Sequence, residues 1–570
     1  MKHSLKPSKY QSMKLNTTYS LFFALLICIT NVSLAQDDST NTEPIDPILE
    51  ELDGFNLQDS LPLEEAPKKQ DPIKMFDMGV HSTQKAFKSR KVKRHSMWER
   101  IENDCALDLE EIPIELTNAF AGISRRNQSS IYDLVKGNVK ISNQIISPTE
   151  RQFMHSPFLT PGSSSKIFGC LTGMSYREEN FILNNVGYFD LVLANLNYLK
   201  EELQYNYHKN GRTYKSILIR NKQDIRGVLD DPTQVGFLIS IGGGHSLGNY
   251  LYIEQDQVET EEYQNIVLTN IRKLKGSTPL EAGTNEYLDI PIFSINFGNY
   301  FRDGISGKTP RFSLNEEEAF KRPTTIGDEI TELGQKAIIE LLNKKKGRRI
   351  LVDVGGMSLR GREWYYKYIK DLRYRKDSIP IIAGGVGISG LSKKDNAYGR
   401  DDKKELLSHQ FTNLCRQDLI AVLQSRGLVA ISLDKNKLMG KEFQRRYDET
   451  IPNSADRRRV AIEALVSNIC KAIHMSNDIE AWNMLCISSQ FDAHARHLDV
   501  FDSSSDMITL YRDLLEFFKE PRDINGLYSV KEIQNFMYNL SPEEIVDKIM
   551  YKNALNFIER NLPEVELESP

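Results

Sequence analysis

The chain has little cysteine and very little tryptophan: six Cys and three Trp in 570 residues. Cys28 lies in an N-terminal apolar run. The other five, Cys105, Cys170, Cys415, Cys470 and Cys486, form no CxxC pair and no zinc-ribbon spacing, so neither a metal ribbon nor a disulfide framework is expected. Five is an odd number for an exported chain, and buried thiols behaving as small hydrophobes are the plain reading, with one disulfide as the alternative. Long apolar runs are missing too: Leu21–Leu34 falls short of the roughly 20 residues a membrane span needs. Basic charge is not in excess, with 73 Lys+Arg against 78 Asp+Glu and a net charge of −5, which argues against a general nucleic-acid binder. No repeat of 20–50 residues is present. No GxGxxG follows the first strand, which removes the strongest sign of a dinucleotide fold.

What is present divides into three parts. Lysines at 9 and 14 precede the apolar run, and Val32-Ser33-Leu34-Ala35 follow its core, the layout of a secretory signal cleaved near Ala35. Export to a periplasmic, extracellular or envelope-associated location is expected, with no transmembrane span in the mature chain. Met13 is an alternative start to Met1, and a lipid anchor at Cys28 or an uncleaved anchor helix are alternative fates. Residues 36–71 carry eleven acids, two lysines and prolines at 44, 47, 62 and 67, the composition of a solvated, disordered linker. Removal of 1–35 leaves −9, and the linker accounts for all of it. The body from Pro72 is formally neutral.

In the body, short apolar runs alternate with helical patterns. Strands are predicted at Lys74–Met78, Val139–Asn143, Gly236–Ile241, Ile290–Ile295, Ile350–Val354, Ile379–Ala383, Leu428–Leu433 and Met484–Ser488. Helices are predicted at Phe189–Tyr205, Ile326–Lys344, Trp364–Tyr374, Lys404–Ser425 and Arg457–Met475. Eight strands apolar enough to be buried on both faces, with helices between them, imply an α/β fold, a (β/α)₈ TIM-type barrel over 72–570. Chemistry in such a barrel sits just after the strands.

Those positions carry a resemblance. Asn221–Leu247 (NKQDIRGVLDDPTQVGFLISIGGGHSL), Arg349–Ser358 (RILVDVGGMS), Ile379–Val386 (IPIIAGGV), Gln417–Leu433, Ile487–Ala493 (ISSQFDA), Leu540–Phe557 and the opening Phe76–Ser82 (FDMGVHS) resemble, in order, segments of the membrane (renal) dipeptidase family. The resemblance implies an amidohydrolase-like metallohydrolase barrel and, in an intact member, two zinc ions. It also implies that most zinc ligands are missing. The first His of the opening motif falls on Gly79, the bridging Glu on Gly242, and two further His on Gly356 and Gly384. Only His81 and Asp492 remain at ligand positions, and Gln490 replaces the first acid of the last motif. Glycine has no donor atom to offer a metal at about 2.0–2.2 Å.

The resemblance therefore implies a degenerate, non-catalytic exported member, a pseudoenzyme without cofactor. It would bind a peptide or peptidoglycan-like fragment, or a partner, in the former cleft. The alternative is an active zinc-dependent dipeptidase or other metallohydrolase using His81, Asp492 and His494 at most. A purely structural envelope protein is a third reading. Expected pocket residues are Asp77, Gly79, His81, Gly242, His245, Asn296, Gly356, Gly384 and Asp492, and the catalytic candidates are Asn296, Asp353 and Asp492. The glycines are expected either to line an emptied pocket or to make tight turns. Two basic runs, Lys85–Arg94 and KKKGRR at 344–349, read as solvated surface and helix-end charge, with anion attraction at the first as the alternative. No nucleic acid is expected, and a homodimer is compatible with the family.

Overall fold

The computed structural model describes residues 73–88, 96–101, 126–150, 185–248, 260–298, 304–305, 330–392, 406–493, 495–524 and 526–564. The expected signal and linker, Cys105, Cys170 and His494 lie outside them. All described residues belong to the unit Asp71–Pro570.

Ten strands form among the described residues: β1 (Met75–Val80), β2 (Val139–Ile146), β3 (Tyr207–Lys209), β4 (Arg212–Leu218), β5 (Gln234–Gly242), β6 (Ile292–Asn296), β7 (Leu351–Asp353), β8 (Ile382–Val386), β9 (Leu428–Ser432) and β10 (Leu485–Ser488). Eight of them run β1-β2-β5-β6-β7-β8-β9-β10, every pair parallel. The circle closes just beyond β10, where Gln490 N–H donates to the Gly79 carbonyl (2.8 Å) and His81 N–H to the Phe491 carbonyl (2.8 Å). This is a nearly closed (β/α)₈ barrel, as expected from the eight apolar runs. Each run became a barrel strand because a parallel strand covered on both faces must be apolar almost throughout.

The registers differ in informative ways. β8 starts three residues later than predicted, so Gly384 and Gly385 lie inside the strand, at a bulge, and not in the turn after it. The hairpin β3–β4 has no counterpart in the prediction. β4 pairs with β5 over Gln234–Phe237, and β6 takes the same edge of β5 higher up, over Ile239–Gly242. The predicted helix Lys404–Ser425 is described from residue 406, and of that part only Arg416–Gln424 is a helix. Residues before it form a loop pinned by Asn413, whose side chain accepts from Gly387 N–H and donates to the Ser408 and Lys437 carbonyls. Asp418 then caps the helix by accepting from Cys415 N–H. The predicted helix Ile326–Lys344 is described from residue 330. It begins at Glu332, where Thr331 accepts from Gly334 N–H, and ends at Leu342.

Cys415, Cys470 and Cys486 are buried free thiols. Lys344–Arg349 forms the turn after that helix, with Lys344 and Arg349 paired to Asp377 and Lys346 to Glu340. The run is helix-end charge.

Candidate functional site at the barrel mouth

The strand ends of β1, β5, β6, β7, β8 and β10 bring the sequence-predicted positions to one end of the barrel, where described side chains press against the glycines. The space that a β-carbon would need at Gly79 is taken by Ser488 Oγ and the Gln490 amide nitrogen, 2.3 and 2.5 Å from the ideal position. At Gly242 it is taken by the Ser147 side chain, and at Gly384 by the Asp353 carboxylate, 2.5 Å away. The glycines thus permit close approach of neighbouring side chains. Gly356 is buried in the turn after β7.

The carboxylates are already engaged. Asp353 Oδ1 accepts from the backbone N–H of Gly355 and of Gly384, both at 2.8 Å, tying β7 to β8. Asp492 forms an ion pair with Lys85 (3.1 Å) and accepts from Gln128 N–H, Ser129 N–H and the Ser129 hydroxyl (2.6 Å). Both members of that pair are buried, so Lys85 is not a surface cation at the mouth. The side chain of Lys88 and residues 89–94 of that basic run are outside the described residues.

Asn296 is half-buried at the end of β6, beside Gly242 and Asp353 in register. Its Oδ1 accepts from Gly298 N–H (2.7 Å), so it shapes the turn. His245 is buried, with Nε2 at 2.9 Å from the Pro148 carbonyl and its ring edge-on to Tyr188. It holds the loop after β2.

Asp77 shares the inward face of Gly79 by strand alternation. It is fully buried. Its Oδ1 accepts from Ser489 N–H (2.9 Å) and Gly79 N–H (3.2 Å), and its Oδ2 has no hydrogen-bond partner. Burial pushes its pKa up to about 6, only partly offset by Ser489 and Gly79. Deeper in the barrel, Ser240 links Asn143 (2.7 Å) to Ser294 (2.8 Å), and Asn143 donates to the Met78 carbonyl.

His497 lies close by, its Nε2 at 2.7 Å from the Gln490 carbonyl. Its pKa is pushed down to about 4, mainly by burial, with Lys85 and His81 adding to the effect. The sequence did not single out Ser147 or Ser129, held Ser488 only within ISSQFDA and read Lys85 only as part of the basic run Lys85–Arg94. The alternation in ISSQFDA does place Ser488 and Gln490 on one face, a readable signal. Lys85 and Ser129 meet Asp492 only through tertiary contact.

These donors do not fit a pair of zinc ions. Among the described residues, no three His, Cys, Asp or Glu side chains gather closely enough to hold a metal. Asp492 spends its oxygens on the protein itself, His497 engages only Nε2 and leaves a buried Nδ1 without a partner, and four expected ligand positions have no side chain.

No family model matches the chain, and no curated protein does. Its fold is similar to that of solved metallopeptidases at low identity. One is a metallo peptidase from Rhodobacter sphaeroides liganded with a phosphinate mimic of the dipeptide L-Ala-D-Ala: 11% identity, 86% of this chain, 100% of that chain, TM-score 0.46. Another is the metallo peptidase dipeptidase AC: 12%, 86% and 99%, TM-score 0.44. A third is the probable dipeptidase PvdM from Pseudomonas aeruginosa: 11%, 86% and 96%, TM-score 0.42. The barrel assignment stands on the strand order of this chain.

Proposed function

We propose that the protein is a non-catalytic barrel of the dipeptidase kind that binds a peptide-like ligand at its C-terminal mouth. One observation carries the reading. At Gly79, Gly242 and Gly384 the volume expected for metal ligands is filled by Ser488, Gln490, Ser147 and the Asp353 carboxylate. Asp353 and Asp492 are spent on backbone amides and a lysine. A hydroxide-generating metal pair needs several imidazole and carboxylate donors converging at fixed positions, and among the described residues no three such side chains gather. The half-exposed residues left at the mouth, Asn296, Gly384, Gly385 and Gln490, offer amide and backbone groups, which suit a peptide better than an ion.

Export rests on the layout of residues 1–35. No helix among the described residues is long and apolar enough to cross a membrane.

The test is elemental analysis of the purified chain alongside a dipeptide hydrolysis assay. Substoichiometric zinc and no turnover are expected. Two equivalents of zinc with hydrolysis would overturn the proposal, and one equivalent lost on substitution of His81 or Asp492 would favour a single-metal hydrolase.

A further inference from the structure

Gln490 is held in an unusual way. Its backbone is left-handed (φ 60°), a region that non-glycine residues rarely occupy. Its N–H donates to the Gly79 carbonyl, and its own carbonyl accepts from Ala493 N–H (3.1 Å) and from His497 Nε2 (2.7 Å). The side chain therefore leaves from a fixed point.

It ends between two glycines. A β-carbon on Gly79 would lie 2.5 Å from the Gln490 Nε2, and one on Gly385 would lie 2.8 Å from Cδ and 2.9 Å from Nε2. Gly385 is itself left-handed (φ 62°), a conformation that suits glycine. The amide nitrogen donates to Ser488 Oγ at 2.8 Å. The amide oxygen accepts no hydrogen bond from any described residue. Two backbone surfaces stripped of side chains and one hydroxyl acceptor thus enclose a flat group with an N–H to give. A carboxylate or a ketone could only accept from that hydroxyl, so neither reproduces the N–H that the resident amide gives, and a carboxylate would bring a charge as well.

We propose that Gly79, Gly385 and Ser488 form a subsite for a primary carboxamide, and that in the free protein Gln490 of the chain occupies it. This rests on the reading of the mouth as a ligand site and gives that ligand a chemical class: a group ending in –CONH₂, such as an Asn or Gln side chain or an amidated terminus. The ligand displaces the Gln490 side chain. Because the internal amide is tethered, it competes at an effective concentration on the order of millimolar, so the intrinsic affinity of the subsite is masked.

The experiment uses the full chain and three probes of one size and shape: acetamide, acetate and acetone. Thermal unfolding midpoints are followed against probe concentration for the wild type and for Gln490→Gly, in which glycine relieves the left-handed backbone. Acetamide is expected to raise the midpoint of Gln490→Gly saturably, at a concentration at least about 10-fold below any effect on the wild type. Acetate and acetone should do nothing comparable, and adding Ser488→Ala should abolish the difference. Equal responses to the three probes, or equal responses of wild type and variant, would overturn the proposal. If Gln490→Gly does not fold, Gln490→Ala carries the same comparison. Should both variants be unfolded, refolding in acetamide alone supports the subsite, and failure in all three probes refutes it. Zinc is measured in the same preparations. Two equivalents of metal would remove the functional reading above and leave the acetamide result to stand or fall by itself.

Discussion

Asp77 is a carboxyl with one oxygen held by two amides and the other by none. Its pKa is raised from 3.8 to about 6 by burial. A raised carboxyl pKa contributes stability that is complete below the unfolded value, near 3.8, and lost as pH rises through about 6. The difference of about two units corresponds to about 3 kcal/mol. Asp77→Asn keeps an acceptor for the two amides and carries no charge. Its unfolding free energy in urea, taken relative to the wild type, is therefore expected to rise by about 2 kcal/mol between pH 4 and pH 7. A relative value that stays flat across that range would show that Asp77 is not the titrating group. His497 acts in the opposite sense, since its depressed pKa favours the fold above about 6.5 and loses that contribution as pH falls through about 4. The sequence named Asp77 through its place in FDMGVHS. It did not reveal the orphan oxygen, which depends on Ser489 arriving from a strand more than four hundred residues away.

Helices in this barrel are tied by side chains as well as by apolar faces. Arg362, in the helix Leu359–Tyr374, makes a two-pronged contact with Asp418 of Arg416–Gln424 (3.0 Å each), and both side chains are almost fully buried. Asp418 also accepts from Tyr366 OH and Cys415 N–H. Replacing only one partner strands a buried charge, at a cost of about 3–5 kcal/mol. Arg362→Met should show that loss in chemical denaturation, and the double variant Arg362→Met/Asp418→Asn should recover part of it. Equal losses in both would mean that packing and not charge is at stake. The helix Arg416–Gln424 also shows where element prediction stops. Its apolar spacing was readable, but its start was set by Asp418 reaching back to residue 415 and by Asn413 holding the loop before it. The hairpin Tyr207–Leu218 escaped notice for a related reason. Its first strand is too short and too polar to show a period, and it exists because β4 lies along the lower edge of β5.

For the whole barrel, the decisive place is the seam between β1 and β10. Two backbone hydrogen bonds close it. Above them the Lys85–Asp492 pair, the Ser129 hydroxyl and the Gln128 and Ser129 amides join the helix Ser82–Lys88, the loop before the helix Ile131–Lys136 and the segment after β10. Lys85 also donates to the Arg126 carbonyl (2.6 Å). Lys85→Met is expected to destabilise the chain by about 3–5 kcal/mol, because Asp492 would remain charged in a buried site. Denaturant unfolding measures this, and a loss below 1 kcal/mol would assign Asp492 a role other than closing the seam. The net charge of −5 has no bearing on this region, since the charges that matter there are single buried groups.

Local sequence determined the strands and their order, because a strand buried on both faces must be apolar and eight such runs with helices between them have few other arrangements. It also determined that Gly79, Gly242, Gly356 and Gly384 have no donor atoms, since that is a property of the residue alone. Only the tertiary structure decided what fills those places and what the surviving acids do. Ser147, Ser488, Gln490, Lys85 and Ser129 reach their partners across the barrel, and contacts between distant strands leave no period in the chain. Sequence alone presented Asp492 as the last metal-site carboxylate, and the fold makes it half of a buried ion pair at the seam.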